Sequence, residues 1–210
     1  MNFDNEIYDF PEVSTAHSSG ILAYGGDLSV GRLMSAYRNG IFPWFNPGEP
    51  ITWYAPKQRM IMFPDDYKPS KSLQKTIKKN IFAVTFNKNF RSVIANCQNI
   101  KRAGQKGTWI SDQLLESYCK LHELGHAKSV EVWHDNNLVG GLYGIDLGHV
   151  FCGESMFAKK TDASKVAFNF LVKYLKSNNY KVLDCQVHND HLASLGCVEI
   201  DRAVFMEILL

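Results

Sequence analysis

The chain has 210 residues, 45% hydrophobic and 21% charged, which suits a globular protein with one sizeable core and chain left over for a small second unit. It has no run of about 18 apolar residues to span a membrane, and the opening MNFDNEIYDFPEVS lacks the basic head, apolar stretch and cleavage site of a secretory leader. The formal net charge of +2 excludes a uniformly basic or acidic protein but not a local concentration of charge.

The first 57 residues are dense in turns and aromatics. Asp27-Leu28-Ser29 reads as a helix start, with Leu33, Met34 and Tyr37 as its apolar stripe and Gly40 as its stop. The following GIFPWFNPGEPITWYAPKQR carries Pro43, Pro47, Pro50 and Pro56, too many for a long regular element. We read residues 1–57 as a small irregular N-terminal domain and 58–210 as a second domain.

In that second domain, a helix is predicted over Ser70–Lys79 with Ser70 as N-cap and Leu73 and Ile77 inward. Phe82–Phe86 is predicted as a strand and Phe90–Cys97 as a helix. Ser111 caps a further helix, with Leu114, Leu115, Tyr118 and Leu121 inward, that closes at Gly125. Three strands follow, Ser129–His134, Leu138–Asp146 and His149–Phe157, with turns at Asp135-Asn136-Asn137 and Leu147-Gly148. A helix over Ala163–Ser177, a strand over Tyr180–Val187, a short helix near His191–Leu195 and a last strand near Ala203–Ile208 complete the chain. The expected class is α+β: the small N-terminal domain, then a mixed, largely antiparallel sheet flanked by helices.

From Tyr67 to Ser111 there are ten basic residues and no acidic one, whereas the remainder carries 13 basic and 21 acidic residues. Such a segment suits either a localised anion-binding face or a lysine-rich solvated helix surface. Trp44, Trp53 and Trp109 lie in loop-like contexts, and Trp109 abuts the basic segment. Loop tryptophans there suit stacking on unpaired bases, or plugging the seam between the domains.

His122-Glu123-Leu124-Gly125-His126 matches H-E-x-x-H, but Gly125 sits where the helix should end, which argues against zinc. The five cysteines (Cys97, Cys119, Cys152, Cys185, Cys197) are odd in number and form no C-x-x-C pair, so a reducing cytoplasm is expected. Cys185 with His188 and His191 could form a thiol nucleophile and base, but strand alternation turns Cys185 toward the core with Leu183 and Val187. The same alternation puts Asp184 and Gln186 together on the other face. They are either a structural polar network or a carboxylate that orients an amide for a reacting group. Glu154, in CGESMF, is a second isolated acid among apolar residues.

GILAYGGDLS, AYRNGIFPWF, ITWYAPKQRM, GTWIS, LHELGHAKSVEVW, LVGGLYGIDLG, FCGESMF, DASKVAF, LDCQV and HLASLG, in this order from about residue 18 to 205, resemble the leucyl/phenylalanyl-tRNA–protein transferase family. The resemblance implies a GNAT-like second domain and transfer of Leu or Phe, less readily Met, from aminoacyl-tRNA to proteins with N-terminal Lys or Arg, feeding N-degron degradation. It places the catalytic groups on Asp184, Gln186 and Glu154, and the terminal-adenosine contacts on Trp44 and Trp109. The aminoacyl pocket falls on Leu142, Phe151 and Leu171. Contacts to the tRNA backbone are expected from Lys71, Lys75, Lys78, Lys79 and Arg102 of the basic segment. The aminoacyl ester is already activated, so no cofactor, ATP or metal is expected, and the enzyme is expected to act as a cytoplasmic monomer. Two other classes compete. An acetyl-CoA-dependent acetyltransferase would need a Gly-rich phosphate-binding turn, and none is found. A non-catalytic RNA-binding module would leave Asp184 and Gln186 idle.

Overall fold

The computed structural model describes residues 8–100 and 108–210. In the N-terminal region, α1 (Val30–Arg38) begins where the Ser29 side chain accepts a hydrogen bond from the Arg32 N–H, and ends just before Gly40, whose φ is +70°. Its apolar stripe, Leu33, Met34, Ala36 and Tyr37, is buried. Three short strands that the proline-rich sequence concealed, β1 (Ile21–Tyr24), β2 (Phe42–Pro43) and β3 (Thr52–Tyr54), form an antiparallel sheet in the order β1-β3-β2. Pro43 is tolerated because β2 lies at a sheet edge.

The larger sheet has seven strands. They are β4 (Gln58–Met62), β5 (Ala83–Phe86), β6 (Ala127–His134), β7 (Asn137–Asp146), β8 (Val150–Ala158), β9 (Val182–Asp184) and β10 (Val198–Asp201), in the order β10-β4-β9-β8-β7-β6-β5. Every pairing is antiparallel except β8–β9, whose crossover is α5 (Ala163–Ser177). This is the mixed, helix-flanked α+β sheet of the GNAT-like class. The β6–β7 hairpin turns through Asp135 and Asn136, both at positive φ, as a two-residue primed turn requires.

The sheet packs on both faces. On one side Met60, Met62, Leu142, Phe151 and Leu183 form a core with α5 and with Leu73 of α2 (Lys71–Lys78). On the other, Ile61, Tyr143, Cys152 and Val182 pack with α3 (Phe90–Asn99), α4 (Asp112–Glu123), α7 (Arg202–Leu209) and the N-terminal region. That second core draws on residues before and after position 57 alike. Among the described residues no helix is long and apolar enough to cross a membrane.

Two expected elements differ. The strand expected over 180–187 pairs only over Val182–Asp184, because Gln186 adopts φ +60° and turns the chain out of the extended run. The strand expected near 203–208 is the helix α7: Asp201 caps it by accepting from the Ala203 N–H, and Phe205 and Leu209, four residues apart, share its buried face. The strand lies just before it, where β10 pairs with β4. Gln58–Met62, to which the sequence assigned no element, is the interior strand β4.

Candidate active site

The early end of β9 creates the site. β8 and β9 pair only from Val150↔Val182 to Cys152↔Asp184. Beyond Cys152, β8 runs on to Ala158 while the chain after Asp184 turns away. The two strands part, and a cavity of about 630 Å3 fills the wedge. One wall is Gly153 to Ala158, and the other runs from Leu183 and Cys185 to Gln186 and on to Leu192 of α6 (Asp190–Ser194).

The cavity has an apolar and a polar end. Leu142, Met156, Phe168, Leu171 and Leu183 supply aliphatic and aromatic surface, and Glu154 and Gln186 supply polar atoms. Gln186 Nε2 donates to Glu154 Oε1 at 2.9 Å, and Tyr118 Oη donates to Glu154 Oε2 at 3.0 Å. Tyr118 in turn is hydrogen-bonded to Tyr37 of α1. Burial raises the Glu154 pKa to about 7, against the opposing hydrogen bonds from Tyr37 and Tyr118. Burial also lifts both tyrosine hydroxyls well above their ordinary range, and the nearby Glu154 carboxylate adds to the effect. Near neutral pH, then, the carboxyl group in this chain is the one that exchanges a proton, and the phenols act as donors.

Asp184 is fully buried and does not line the cavity. Its Oδ1 accepts from Arg59 Nε at 2.8 Å and from the Gln186 main-chain N–H at 3.0 Å, and its Oδ2 accepts from Arg59 Nη2 at 2.7 Å. The carboxylate therefore meets the backbone of Gln186, while the Gln186 side chain is fixed by Glu154. Arg59 also donates through Nη1 to the Gly40 carbonyl at 3.0 Å, with its guanidinium between the rings of Phe42 and Phe205. Burial works against the Arg59 charge, but the adjacent Asp184 carboxylate outweighs it and holds the pKa above its usual value.

Of the other expected site residues, Trp44, Trp109, Leu142 and Leu171 line the cavity. Trp44 is 42% exposed, and Trp109 is partly buried. Phe151 is buried in the core beneath and does not reach the cavity surface. Lys71, Lys75, Lys78 and Lys79 are exposed on and just after α2, and α2 is tied to the start of α5 by Thr76 Oγ1 donating to Asp162. Arg102 lies outside the described residues. Trp53 belongs to the N-terminal core, 1% exposed, with Nε1 donating to the Gly25 carbonyl. The H-E-x-x-H string does not lie on one helix: α4 ends at Glu123, Gly125 has φ +86°, and His122 stacks on Phe90. Cys185 is buried 3.8 Å from Cys197, and its hydrogen bond to that thiol, together with burial, lifts its pKa well above the ordinary thiol value.

Arg59, Tyr37 and Tyr118 were missed as site residues. Tyr37 and Tyr118 fit apolar helix stripes and read as core, which their rings are. Arg59 did carry a signal: a lone charge in the run QRMIM is costly to bury without a partner.

Residues 61–210 match the family described as Leucyl/phenylalanyl-tRNA protein transferase, and residues 26–57 match that family's N-terminal domain. A leucyl/phenylalanyl-tRNA–protein transferase of Flavobacterium johnsoniae is 64% identical over 200 residues, covering 95% of this chain and 94% of the relative. One from Flavobacterium psychrophilum is 58% identical over 209 residues, covering 100% and 99%, and one from Cellvibrio japonicus is 52% identical over 203 residues, covering 96% and 86%. Among solved structures, FemX superposes with a TM-score of 0.54 at 12% identity over 82% of this chain and 66% of its own, a likeness of fold.

Proposed function

This chain belongs to the leucyl/phenylalanyl-tRNA–protein transferase family, and we propose that it moves Leu or Phe, and less readily Met, from aminoacyl-tRNA to the amino terminus of proteins beginning with Lys or Arg, marking them for N-degron degradation. The observation that carries the chemistry is the Gln186–Glu154 pair at the polar end of an otherwise apolar cavity. An ionised carboxylate only accepts hydrogen bonds, so it fixes the amide with Nε2 toward Glu154 and leaves Gln186 Oε1 as an acceptor.

The reaction forms an amide and breaks an ester: the acceptor amine attacks the aminoacyl carbonyl, and the tRNA 3′-terminal hydroxyl leaves with the proton the amine gives up. A neutral amine is needed, and an α-amino group with a pKa of roughly 7.7–8 is partly neutral at pH 7. Placement therefore supplies most of the rate. Gln186 Oε1 accepts a hydrogen bond from the attacking amine. The Glu154 carboxylate polarises that amide and stabilises the positive charge that develops on the nitrogen. Leu142 and Leu171 contact the Leu or Phe side chain, while Phe151 shapes this wall from beneath. Trp44 and Trp109 hold the terminal adenosine at the rim. Lys71, Lys75, Lys78, Lys79 and Arg102 meet tRNA phosphates. We divide the chain into an N-terminal domain, 1–57, and a catalytic domain, 58–210, and place it in the cytoplasm as a monomer.

The test is transfer of radiolabelled Leu from Leu-tRNA to a protein with N-terminal Arg, without ATP or CoA. Label in hot-acid-stable protein is the expected result. Binding of the tRNA without transfer would leave an RNA-binding module instead.

A further inference from the structure

We propose that Arg59 is a positioning residue for the transfer reaction, and that Asp184 serves the reaction by the same route, through the backbone of Gln186 and not as a proton acceptor. The proposal rests on the reading of Gln186 as the group that receives the amine's hydrogen bond. Gln186 sits at φ +60°, a conformation uncommon for a residue with a side chain, and the other non-Gly residues at positive φ among the described residues are all Asn or Asp. Here the imposing contact is visible: the Gln186 N–H donates to Asp184 Oδ1 at 3.0 Å. Without the turn at Gln186 an extended chain would continue past Asp184, and the amide would lose its place beside Glu154.

Asp184 can hold this turn only if it is itself held. Arg59 grips it through two parallel bonds, at 2.8 and 2.7 Å. The fork is fixed in turn by the Gly40 carbonyl and the rings of Phe42 and Phe205. The Asp184 oxygens thus accept from the guanidinium and from a backbone N–H, while the Gln186 side chain bonds Glu154 instead. A carboxylate so engaged, and absent from the cavity wall, is poorly placed to take a proton from the substrate. Lysine at 59 would keep the charge but lose the planar fork, leaving Asp184 and the Gln186 turn free to drift.

Arg59→Lys, checked for a cooperative melt, is therefore expected to lower kcat by about 100-fold, the scale of a 1 Å misplacement, with the KM for aminoacyl-tRNA within about two-fold of wild type. Asp184→Asn keeps an acceptor for the Gln186 N–H. It is expected to outperform Asp184→Ala and to retain the limb near pH 7 that protonation of Glu154 adds to the limb of the acceptor amine. In the unmodified protein, labelled with 15N-glutamine, the Gln186 amide proton is expected to resonate downfield and exchange slowly, a readout that does not depend on any variant folding. A folded Arg59→Lys with wild-type kcat, loss of the Glu154 limb in Asp184→Asn, or a Gln186 amide exchanging as fast as an exposed loop would each overturn the proposal. Absence of transfer by the wild-type protein would instead overturn the transferase reading on which it rests.

Discussion

Glu154→Gln separates the charge of Glu154 from its shape. The substituted amide can still accept from Gln186 Nε2 through its oxygen and turn its own NH2 toward Tyr118, whose hydroxyl can accept it and donate onward to Tyr37. What is lost is the negative charge that polarises Gln186. A hydrogen bond to a charged partner contributes about 1.5–3 kcal/mol, against about 0.5–1.5 for a neutral one. Adding the lost stabilisation of a positive nitrogen, kcat is expected to fall by about 10- to 100-fold. Two pH effects accompany the loss. Wild-type kcat/KM falls as Glu154 protonates below about pH 7, and the variant lacks that limb, keeping only the limb of the acceptor amine. Stability moves the other way. The folded state raises the Glu154 pKa from 4.5 to about 7, so it binds this proton more tightly than the unfolded chain does. The resulting stabilisation is fully present below pH 4.5 and is lost as pH rises to about 7. The loss amounts to about 3 kcal/mol. Urea titrations at pH 5 and pH 8 span most of that window and should show the wild type losing about 2–3 kcal/mol relative to Glu154→Gln. A variant with wild-type kcat, or one whose stability changes with pH in parallel with wild type, would refute the assignment.

Two further substitutions probe the RNA contacts. Trp109→Ala removes a stacking surface at the cavity rim and is expected to raise the KM for aminoacyl-tRNA by roughly 5- to 150-fold, from about 1–3 kcal/mol per stacked base, with kcat largely kept. Steady-state kinetics on Leu-tRNA read this directly, and an unchanged KM counts against stacking. Lys75→Ala with Lys78→Ala removes two exposed charges of α2, and the slope of log affinity against log salt should become shallower by about 1.4–1.8. An unchanged slope would leave α2 a solvated face.

Most regular elements after residue 57 were legible because their signals are local. Ser70 and Ser111 cap the helices that the sequence assigned to them, and the strand-forming runs of 127–158 are long enough to show themselves. The errors share one physical origin: they lie where tertiary contacts override a short pattern. β1, β2 and β3 are two to four residues long and interrupted by proline and glycine. The tail 203–208 is apolar enough to pass for a strand until the cap at Asp201 is seen. At the site, period-2 alternation put the Asp184 and Gln186 side chains on one face, but the strand ends before Gln186, whose side chain lines the cavity with Leu183 and Cys185 while Asp184 meets only its backbone N–H. Residue proximity was readable; which atom of Gln186 meets Asp184 was not, because that depends on one left-handed backbone angle and on an arginine 125 residues away in sequence.

The N-terminal region is consequently part of the network around the candidate site. Tyr37 bonds both Tyr118 and Glu154, the Gly40 carbonyl takes the outer N–H of Arg59, Phe42 covers the guanidinium, and Trp44 forms the rim. All four follow from how α1 stops: Gly40 at φ +70° lets the chain reverse into β2, so that the last turn of the helix and the strand after it face the same network. Removing residues 1–57 would strip these contacts together and uncover Leu114, Tyr118, Phe205 and the other side chains that pack in the shared core. It would also leave the Arg59–Asp184 pair open to water on one side, and a buried pair that loses its supporting hydrogen bonds destabilises what surrounds it. A fragment of residues 58–210 is therefore expected to aggregate or to melt without cooperativity, and supplying residues 1–57 as a separate chain should restore a cooperative transition together with turnover. A fragment that melts cooperatively by itself and transfers Leu at the full-length rate would show that the network closes without the N-terminal region.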